Sequence, residues 1–388
     1  MTDTVRVGLY PPVPTAGAAA PTGGWEPEVW LGAPAPGGLA LPPAAPTRAW
    51  MYSPRGVFLD EDHLVVADSG NHRVLVWHGL PTADEQPADV VLGQPDGTTE
   101  GRAAAGRGPR NGMNLPTGVL VHEGRLVVAD AWHHRILVWH RVPETDATPP
   151  DLVLGQDDLD AVEPNRGGAC AADTMYWPFG IAVIGGTFWV ADTGNRRVLG
   201  WHGGLPEPGR PADVVLGQPD AHSREENRGE PVGPAGFRWP HAVAGHDGLL
   251  LIADAGDHRV LGWTPPPSAD TPANMLLGQP DFHTAAEWPY GPQCGDRFRF
   301  PYAVCLDDGR LAVSDTANNR VLFWDGVPLD GRPADAVLGQ PSFEANGENR
   351  WSAVTPDSMC WPYGLWLHGD RLAVADSGNN RVMVWRRR

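Results

Sequence analysis

The sequence predicts an all-β protein, a six-bladed β-propeller with four antiparallel strands per blade. A string first written VVADSGNHRVLVW occurs six times, and its closing tryptophan returns every 61 or 62 residues. Each copy holds four short segments rich in β-branched and apolar residues. The 48 glycines and 41 prolines among 388 residues disfavour long helices. Because one such unit is too small to bury both faces of its sheet, neighbouring units must stack in a ring.

The first unit shows the predicted strands in chain order. They are GVFLD from Gly56, HLVVAD ending at Asp68, RVLVW ending at Trp77 and DVVLG ending at Gly93. The tight turn ADSGNHR joins the second strand to the third, and an LGQPD segment follows the fourth. A proline precedes every unit, at Pro54, Pro116, Pro178, Pro240, Pro301 and Pro362.

The two ends of the chain predict how the ring closes. The sixth unit reaches Arg388 directly after its third strand, whereas PEVWLGAP, from Pro27 to Pro34, reads as an isolated fourth strand. We expect this N-terminal strand to complete the last blade beside the segment that ends at Trp385, so that no sheet edge stays open. The domain prediction is therefore a Pro/Ala/Gly-rich tail over residues 1–26 and a propeller over residues 27–388.

These repeats resemble the NHL family. The stretch VADSGNHRV, Val66 to Val74, matches the sense of that family's repeat, and the resemblance runs from about Pro27 to Arg388. It implies a stand-alone, bacterial-type six-bladed propeller. The family includes RNA-binding and protein-binding modules and an amidating lyase that binds zinc through several histidines at its channel mouth. Only His241 occupies a comparable position here, so the resemblance does not carry that metal site over.

Composition excludes several classes of function. With 47 acidic and 29 basic residues the net charge is −18, which argues against binding to nucleic acid or to anionic membranes. The chain contains no lysine, which excludes Schiff-base chemistry and Walker-type phosphate loops. The absence of a long apolar run or a recognisable signal, together with only four cysteines, predicts a cytoplasmic protein, and we expect a monomer.

Residues present in all six units are predicted to be structural, because one active site needs one copy. The aspartate and arginine of the turn are expected to pair and to bind turn amides, and paired-carboxylate catalysis is the weaker alternative. The closing tryptophans are expected to fill blade interfaces. His72, His134 and His258 share the structural interpretation of the turn.

Function is expected where the copies differ. The loop of about 20 residues before each conserved proline is long, and long loops on a rigid scaffold often carry sites. Two positions vary most. The residues after the proline are Arg55, Thr117, Phe179, His241, Tyr302 and Tyr363, and those two before it are Tyr52, Asn114, Tyr176, Arg238, Arg299 and Cys360.

The first functional hypothesis is a polar pocket on the top face that binds a small polar or anionic molecule. It includes lyase- or hydrolase-type catalysis, with His241, Tyr302 and Tyr363 as acid–base groups. The predicted ligand-binding residues are Arg55, Arg238, Arg299, Tyr176, Phe179 and Cys360. Arg238 and Arg299 are expected to approach one another, unless they only pair with a loop carboxylate such as Asp296. The alternative is a water-filled channel mouth.

Two further possibilities stay open. Cys170, Cys294 and Cys360, together with His241, are weak candidates for a soft-metal site holding copper or zinc, since no CxxC or HxxxH spacing supports them. No other cofactor is indicated. The second functional hypothesis is a non-catalytic scaffold whose top loops bind a partner protein through an apolar patch of Phe179, Trp177 or Trp361. The mixed chemistry of the variable residues favours the enzyme.

Overall fold

The structure, a computed structural model, describes residues 21–287 and 292–388. Its strands form six four-stranded antiparallel sheets arranged as blades around a central axis, which confirms the predicted fold. Blade one contains β2 (Gly56–Leu59), β3 (His63–Asp68), β4 (Arg73–His78) and β5 (Val90–Leu92). Blade two contains β6 (Pro116–His122), β7 (Arg125–Asp130), β8 (Arg135–Trp139) and β9 (Leu152–Leu154). Blade three contains β10 (Pro178–Ile184), β11 (Thr187–Asp192), β12 (Arg197–His202) and β13 (Val214–Leu216).

The second half repeats the pattern. Blade four contains β14 (Pro240–His246), β15 (Leu249–Asp254), β16 (Arg259–Trp263) and β17 (Met275–Leu277). Blade five contains β18 (Pro301–Asp307), β19 (Arg310–Asp315), β20 (Arg320–Trp324) and β21 (Ala336–Leu338). Blade six contains β22 (Pro362–His368), β23 (Arg371–Asp376), β24 (Arg381–Arg387) and β1 (Trp25–Gly32).

Over residues 21–287 and 292–388, helical structure is confined to short segments. One is a five-residue helical turn, α1 (Arg102–Gly106). The 3₁₀ turns between the second and third strands are Ser69–Asn71, Ala131–His133, Thr193–Asn195, Ala255–Asp257, Thr316–Asn318 and Ser377–Asn379. The 3₁₀ turns of the long loops are Pro109–Asn111, Pro164–Gly167, Glu226–Gly229 and Glu348–Trp351. No helix among the described residues is long and apolar enough to cross a membrane.

The N-terminal strand lies beside the last strand of the chain. In the β1–β24 ladder Trp30 is opposite Met383 and Leu31 is opposite Val382. The strand begins at Trp25, two residues before the predicted start, and the Trp25 ring packs edge-on against Phe323 of blade five at 5.2 Å. Most of the predicted tail, residues 1–20, lies outside the described residues.

The side chain of each repeated aspartate is buried within its own blade. In blade one the Arg73 Nε donates to Asp68 Oδ2 at 2.7 Å, and the Tyr52 amide donates to Asp68 Oδ1 at 2.7 Å. Both charged side chains are fully buried, and the arginine also donates to the Gly97 carbonyl oxygen at 2.8 Å. Equivalent pairs are Asp130–Arg135, Asp192–Arg197, Asp254–Arg259, Asp315–Arg320 and Asp376–Arg381. Because no substrate can reach these carboxylates, their role is structural.

A second repeated contact joins neighbouring blades. The residue after each 3₁₀ turn adopts a left-handed backbone and, in five blades, its side chain accepts an amide hydrogen from the next blade. His72 Nδ1, for example, accepts from the Leu115 amide at 3.1 Å. The other acceptors are His134, His258, Asn319 and Asn380. The structural interpretation of the turn histidines is therefore supported by their contacts.

The closing tryptophans lie in the hydrophobic core. All six are at most 3% exposed. Trp77, for example, shares a core cluster with Leu31 and Val382 of blade six. Its indole N–H donates to the Gln86 carbonyl oxygen at 3.0 Å. These tryptophans therefore join adjacent blades, as their repetition predicts.

Candidate functional site: the central cavity

A cavity of about 340 Å³ runs along the axis and is lined by the innermost strand of every blade. We call the face at which these strands begin the top face. The cavity lining at this end is a ring formed by Arg55, Thr117, Phe179, His241, Tyr302 and Tyr363. The small residue that follows each member lets the strands converge. A Cβ on Gly180 would lie 2.6 Å from the His241 carbonyl oxygen, closer than a real Cβ allows.

The aromatic members of the ring touch in sequence. The His241 ring meets Phe179 and Tyr302 edge-on, each at a centroid distance of 4.5 Å. Tyr302 stacks on Tyr363 at 4.4 Å with the planes 14° apart. The Arg55 guanidinium carbon lies 5.1 Å from the Tyr363 ring centroid, within cation–π range. The three predicted acid–base residues and Arg55 are thus brought together in one continuous arc.

His241 is neutral at physiological pH. Burial lowers its pKa to about 4, and the positive charge of Arg55 acts in the same direction. Its Nδ1 lies 2.9 Å from the Trp239 carbonyl oxygen. A carbonyl oxygen can only accept, so Nδ1 carries the proton and Nε2 is the acceptor. The imidazole can therefore take a hydrogen bond or a proton through Nε2.

Tyr302 is held in its protonated form. Burial raises its pKa above the ordinary value, and the neighbouring Tyr363 raises it further. A phenol in this state donates a hydrogen bond and does not serve as a base. The arc thus contains a hydrogen-bond acceptor at His241 beside phenol groups at Tyr302 and Tyr363.

Of the residues that the structure describes, Arg55 is the one arginine that lines the central cavity. Among the described residues it forms no ion pair with a carboxylate, and its Nε is buried without a hydrogen-bond partner. Arg55 is half-buried, and a guanidinium in such a place that no carboxylate neutralises attracts an anion. The cavity therefore combines a cation, phenols and a neutral imidazole.

Arg238 and Arg299 are placed differently from the prediction. Neither lines the central cavity. Arg238 Nε lies 3.1 Å from Glu226, and Arg299 Nη2 lies 2.5 Å from Glu287. Each glutamate belongs to the long loop of the same blade and compensates the arginine charge. The prediction that these two arginines contact a ligand is therefore corrected: both form ion pairs with loop carboxylates. The carboxylates are Glu226 and Glu287, in place of the suggested Asp296.

The thiols do not gather at the cavity. Cys360 is 6% exposed and does not line the cavity, so its predicted contact with a ligand is also corrected. Burial raises its pKa to about 12. Cys170 Sγ instead donates to the His222 carbonyl oxygen at 2.9 Å. In the described ranges, no group of three or more His, Cys, Asp or Glu side chains is arranged to hold a metal ion, and this includes Cys294 and His241.

The segment that contains the first repeated turn matches a known protein family. The family model described as NHL repeat matches residues 51–77, which contain the first copy of that turn. The matched stretch covers the first three strands of blade one in a six-bladed ring. This protein is an NHL-type β-propeller. No curated protein matches its sequence.

Solved structures similar to this NHL-type propeller share its fold at low identity. A Bacteroides thetaiotaomicron protein of unknown function is 12% identical, with a TM-score of 0.51, over 93% of this chain and 75% of that one. Virginiamycin B lyase from Staphylococcus aureus is 10% identical, with a TM-score of 0.45, over 88% of this chain and 97% of that one. Identities this low show the fold alone.

Above the ring, the NHL-type propeller has a second cavity of about 270 Å³ that shares Arg55, Phe179, His241 and Tyr302 with the central one. Its remaining lining comes from blades two to four and consists of Trp132, Tyr176, Trp177, Thr193, Gly194, Arg196 and Trp239. Tyr176, a predicted ligand residue, lies here. The sequence analysis missed Arg196. The repeated turn nevertheless distinguishes it, because the fourth residue after the aspartate is His or Asn in five copies and Arg only in the third.

Proposed function

We propose that the central cavity binds a small polar or anionic molecule through Arg55. His241, Tyr302 and Tyr363 handle protons in a lyase- or hydrolase-type reaction. The observation that carries the proposal is the guanidinium of Arg55, which lines the cavity without a carboxylate partner and adjoins this aromatic arc.

Electrostatics supports an anionic ligand. The chain has a net charge of −18, so an anion finds few favourable places on the protein. Inside the cavity Arg55 is a local exception. No carboxylate among the described residues neutralises its guanidinium, so an oxyanion bound there gains a charge-assisted contact.

The neighbouring groups support proton transfer on that ligand. Neutral His241 accepts a proton at Nε2, because Nδ1 is occupied by the Trp239 carbonyl. A tyrosine hydroxyl of the arc donates a hydrogen bond or a proton to the departing group. Arg55 stabilises negative charge that develops in the transition state. The reaction class follows from these three roles.

The test is the substitution Arg55→Met, which keeps the length and the apolar stem of the side chain. Binding of inorganic phosphate and of citrate is measured by calorimetry. We expect affinity to fall about tenfold or more, because a charge-assisted contact is lost. Arg125→Gln is the matched control, since Arg125 is exposed at the start of β7 and forms no ion pair among the described residues. Equal affinity in the two variants for both anions would contradict the proposal.

A partner-protein scaffold is the second candidate. Trp132 and Trp361 are 44% and 39% exposed, and exposed tryptophans are enriched where proteins bind one another. Of the predicted patch, Phe179 faces the cavity and Trp361 faces solvent. Retention of partner binding in Arg55→Met, with its loss in Trp361→Ser, would favour this candidate.

A further inference from the structure

Blade three departs from the interblade contact that the other blades share. At the residue after the 3₁₀ turn five blades have a histidine or asparagine acceptor, whereas blade three has Arg196. A guanidinium has no acceptor atom, so this contact cannot form. The Trp239 amide instead donates to Asp254 Oδ1 at 3.0 Å, within its own blade.

The departure changes the backbone as well. The residue before the conserved proline has a positive φ ahead of every blade except blade four, where Trp239 does not share it. The five residues that have it are Ser53, Leu115, Trp177, Phe300 and Trp361. The junction of blades three and four thus lacks a hydrogen bond that every other junction has. Departures from a protein's own repeated rule are expected at functional sites.

The result is a second unpaired cation in the upper cavity. Arg196 and Arg55 both line it, and neither forms an ion pair with a carboxylate among the described residues. The Nε of each is buried without a hydrogen-bond partner. Arg196 Nη1 makes only long contacts with carbonyl oxygens, 3.4 Å to Gly194 and 3.3 Å to Arg224. Two like charges on one cavity are stabilised by an anion between them.

Apart from Thr193 and Gly194, the rest of this lining is aromatic. Trp177 packs against Trp132 at 5.2 Å and against Tyr176 at 4.7 Å, forming a cluster on the side of blades two and three. Trp239 contributes a further indole from blade four. The Trp239 ring also stacks on Phe300 at 6.1 Å, so part of its edge is left for a ligand. Aromatic rings favour a planar aromatic ligand, which packs against their faces or edges.

We propose that the upper cavity selects an aromatic oxyanion, with its planar ring against Trp177 and Trp239 and its charge on Arg55 and Arg196. This inference rests on the proposed function, because the upper cavity shares Arg55 and His241 with the central one. The oxyanion is a carboxylate or a phosphate on the ring.

The probes are 1-naphthyl phosphate and 1-naphthoate, with inorganic phosphate and 1-naphthol as controls that lack the ring or the charge. Affinities are measured by calorimetry on the full chain. We expect an aryl anion to bind about tenfold or more tightly than either control, and the tighter of the two identifies the oxyanion. Affinities for both aryl anions no higher than those for the controls would overturn the inference.

Two substitutions locate the site. Arg196→Asn introduces the residue found at the same position, with the same left-handed backbone, in blades five and six, so the fold is expected to survive. Trp177→Leu removes an indole. We expect each to weaken aryl-anion binding about tenfold, while Arg125→Gln leaves it unchanged. If both variants bind the aryl anions like the unmodified chain, the inference is wrong. The proposed function fails separately, if Arg55→Met leaves phosphate and citrate binding unchanged.

Discussion

At the residue scale, the burial of His241 has a consequence for acid stability. Its pKa is about 4 in the folded chain and about 6.5 when exposed, so the unfolded state binds more protons between these values. Stability therefore decreases as pH falls through this window. Above pH 6.5 the imidazole is neutral in both states and contributes no pH dependence.

The matching prediction uses His241→Asn. Between pH 7.5 and 4.5 the unmodified chain is expected to lose about 2 to 3 kcal/mol more unfolding free energy than the variant. Urea unfolding at the two pH values measures the difference. Other groups titrate in both proteins, so only the difference between the two losses reports on His241. Equal losses would mean that the imidazole is not buried in its neutral form.

At the element scale, a buried Asp–Arg ion pair stabilises each blade. In blade three Arg197 pairs with Asp192 at 2.7 Å and also donates to three loop carbonyl oxygens, of Ala221, Ala171 and Thr174. One side chain thus connects the second strand, the third strand and two loops. Its removal leaves a buried carboxylate without its cation.

Arg197→Met is therefore expected to lower the unfolding free energy by about 3 to 5 kcal/mol. Arg210→Met is the control within the same blade, because its pair with Asp213 is partly exposed and should contribute less than about 1 kcal/mol. Urea denaturation of both variants provides the comparison. If Arg197→Met lowered the unfolding free energy as little as the control does, the stabilising role of the buried pair would be refuted.

At the scale of the whole molecule, the ring depends on a strand from the other end of the chain. Without β1, the outer edge of β24 would be an open ladder of amide and carbonyl groups. Such an edge invites pairing with another chain.

Deletion of residues 1–34 is therefore expected to lower the melting temperature and to produce oligomers. Deletion of residues 1–20, which keeps β1, is expected to leave the melting temperature and the oligomeric state unchanged. Light scattering after size exclusion, with thermal unfolding, measures both. A monomeric 1–34 deletion with an unchanged melting temperature would show that closure does not require β1.

The sequence by itself determined the blade number, the four-stranded unit and the register of the ring residues. Those features follow from a repeat, because Asp, Arg and Trp at a fixed spacing must occupy equivalent places in equivalent blades. The same logic brought Arg55, His241, Tyr302 and Tyr363 to the axis, since all follow the conserved proline.

Only the tertiary structure decided which arginines are available to a ligand. The long loops repeat only part of their sequence. Their folding places Glu226 on Arg238 and Glu287 on Arg299, while no carboxylate among the described residues pairs with Arg55 or Arg196. Whether a guanidinium meets a carboxylate depends on distances of a few ångströms that the folding of a single long loop sets, because both partners of each pair lie in the same loop. Periodicity carries no information about such distances, which is why the repeated part of the site could be predicted and its charge pairing could not.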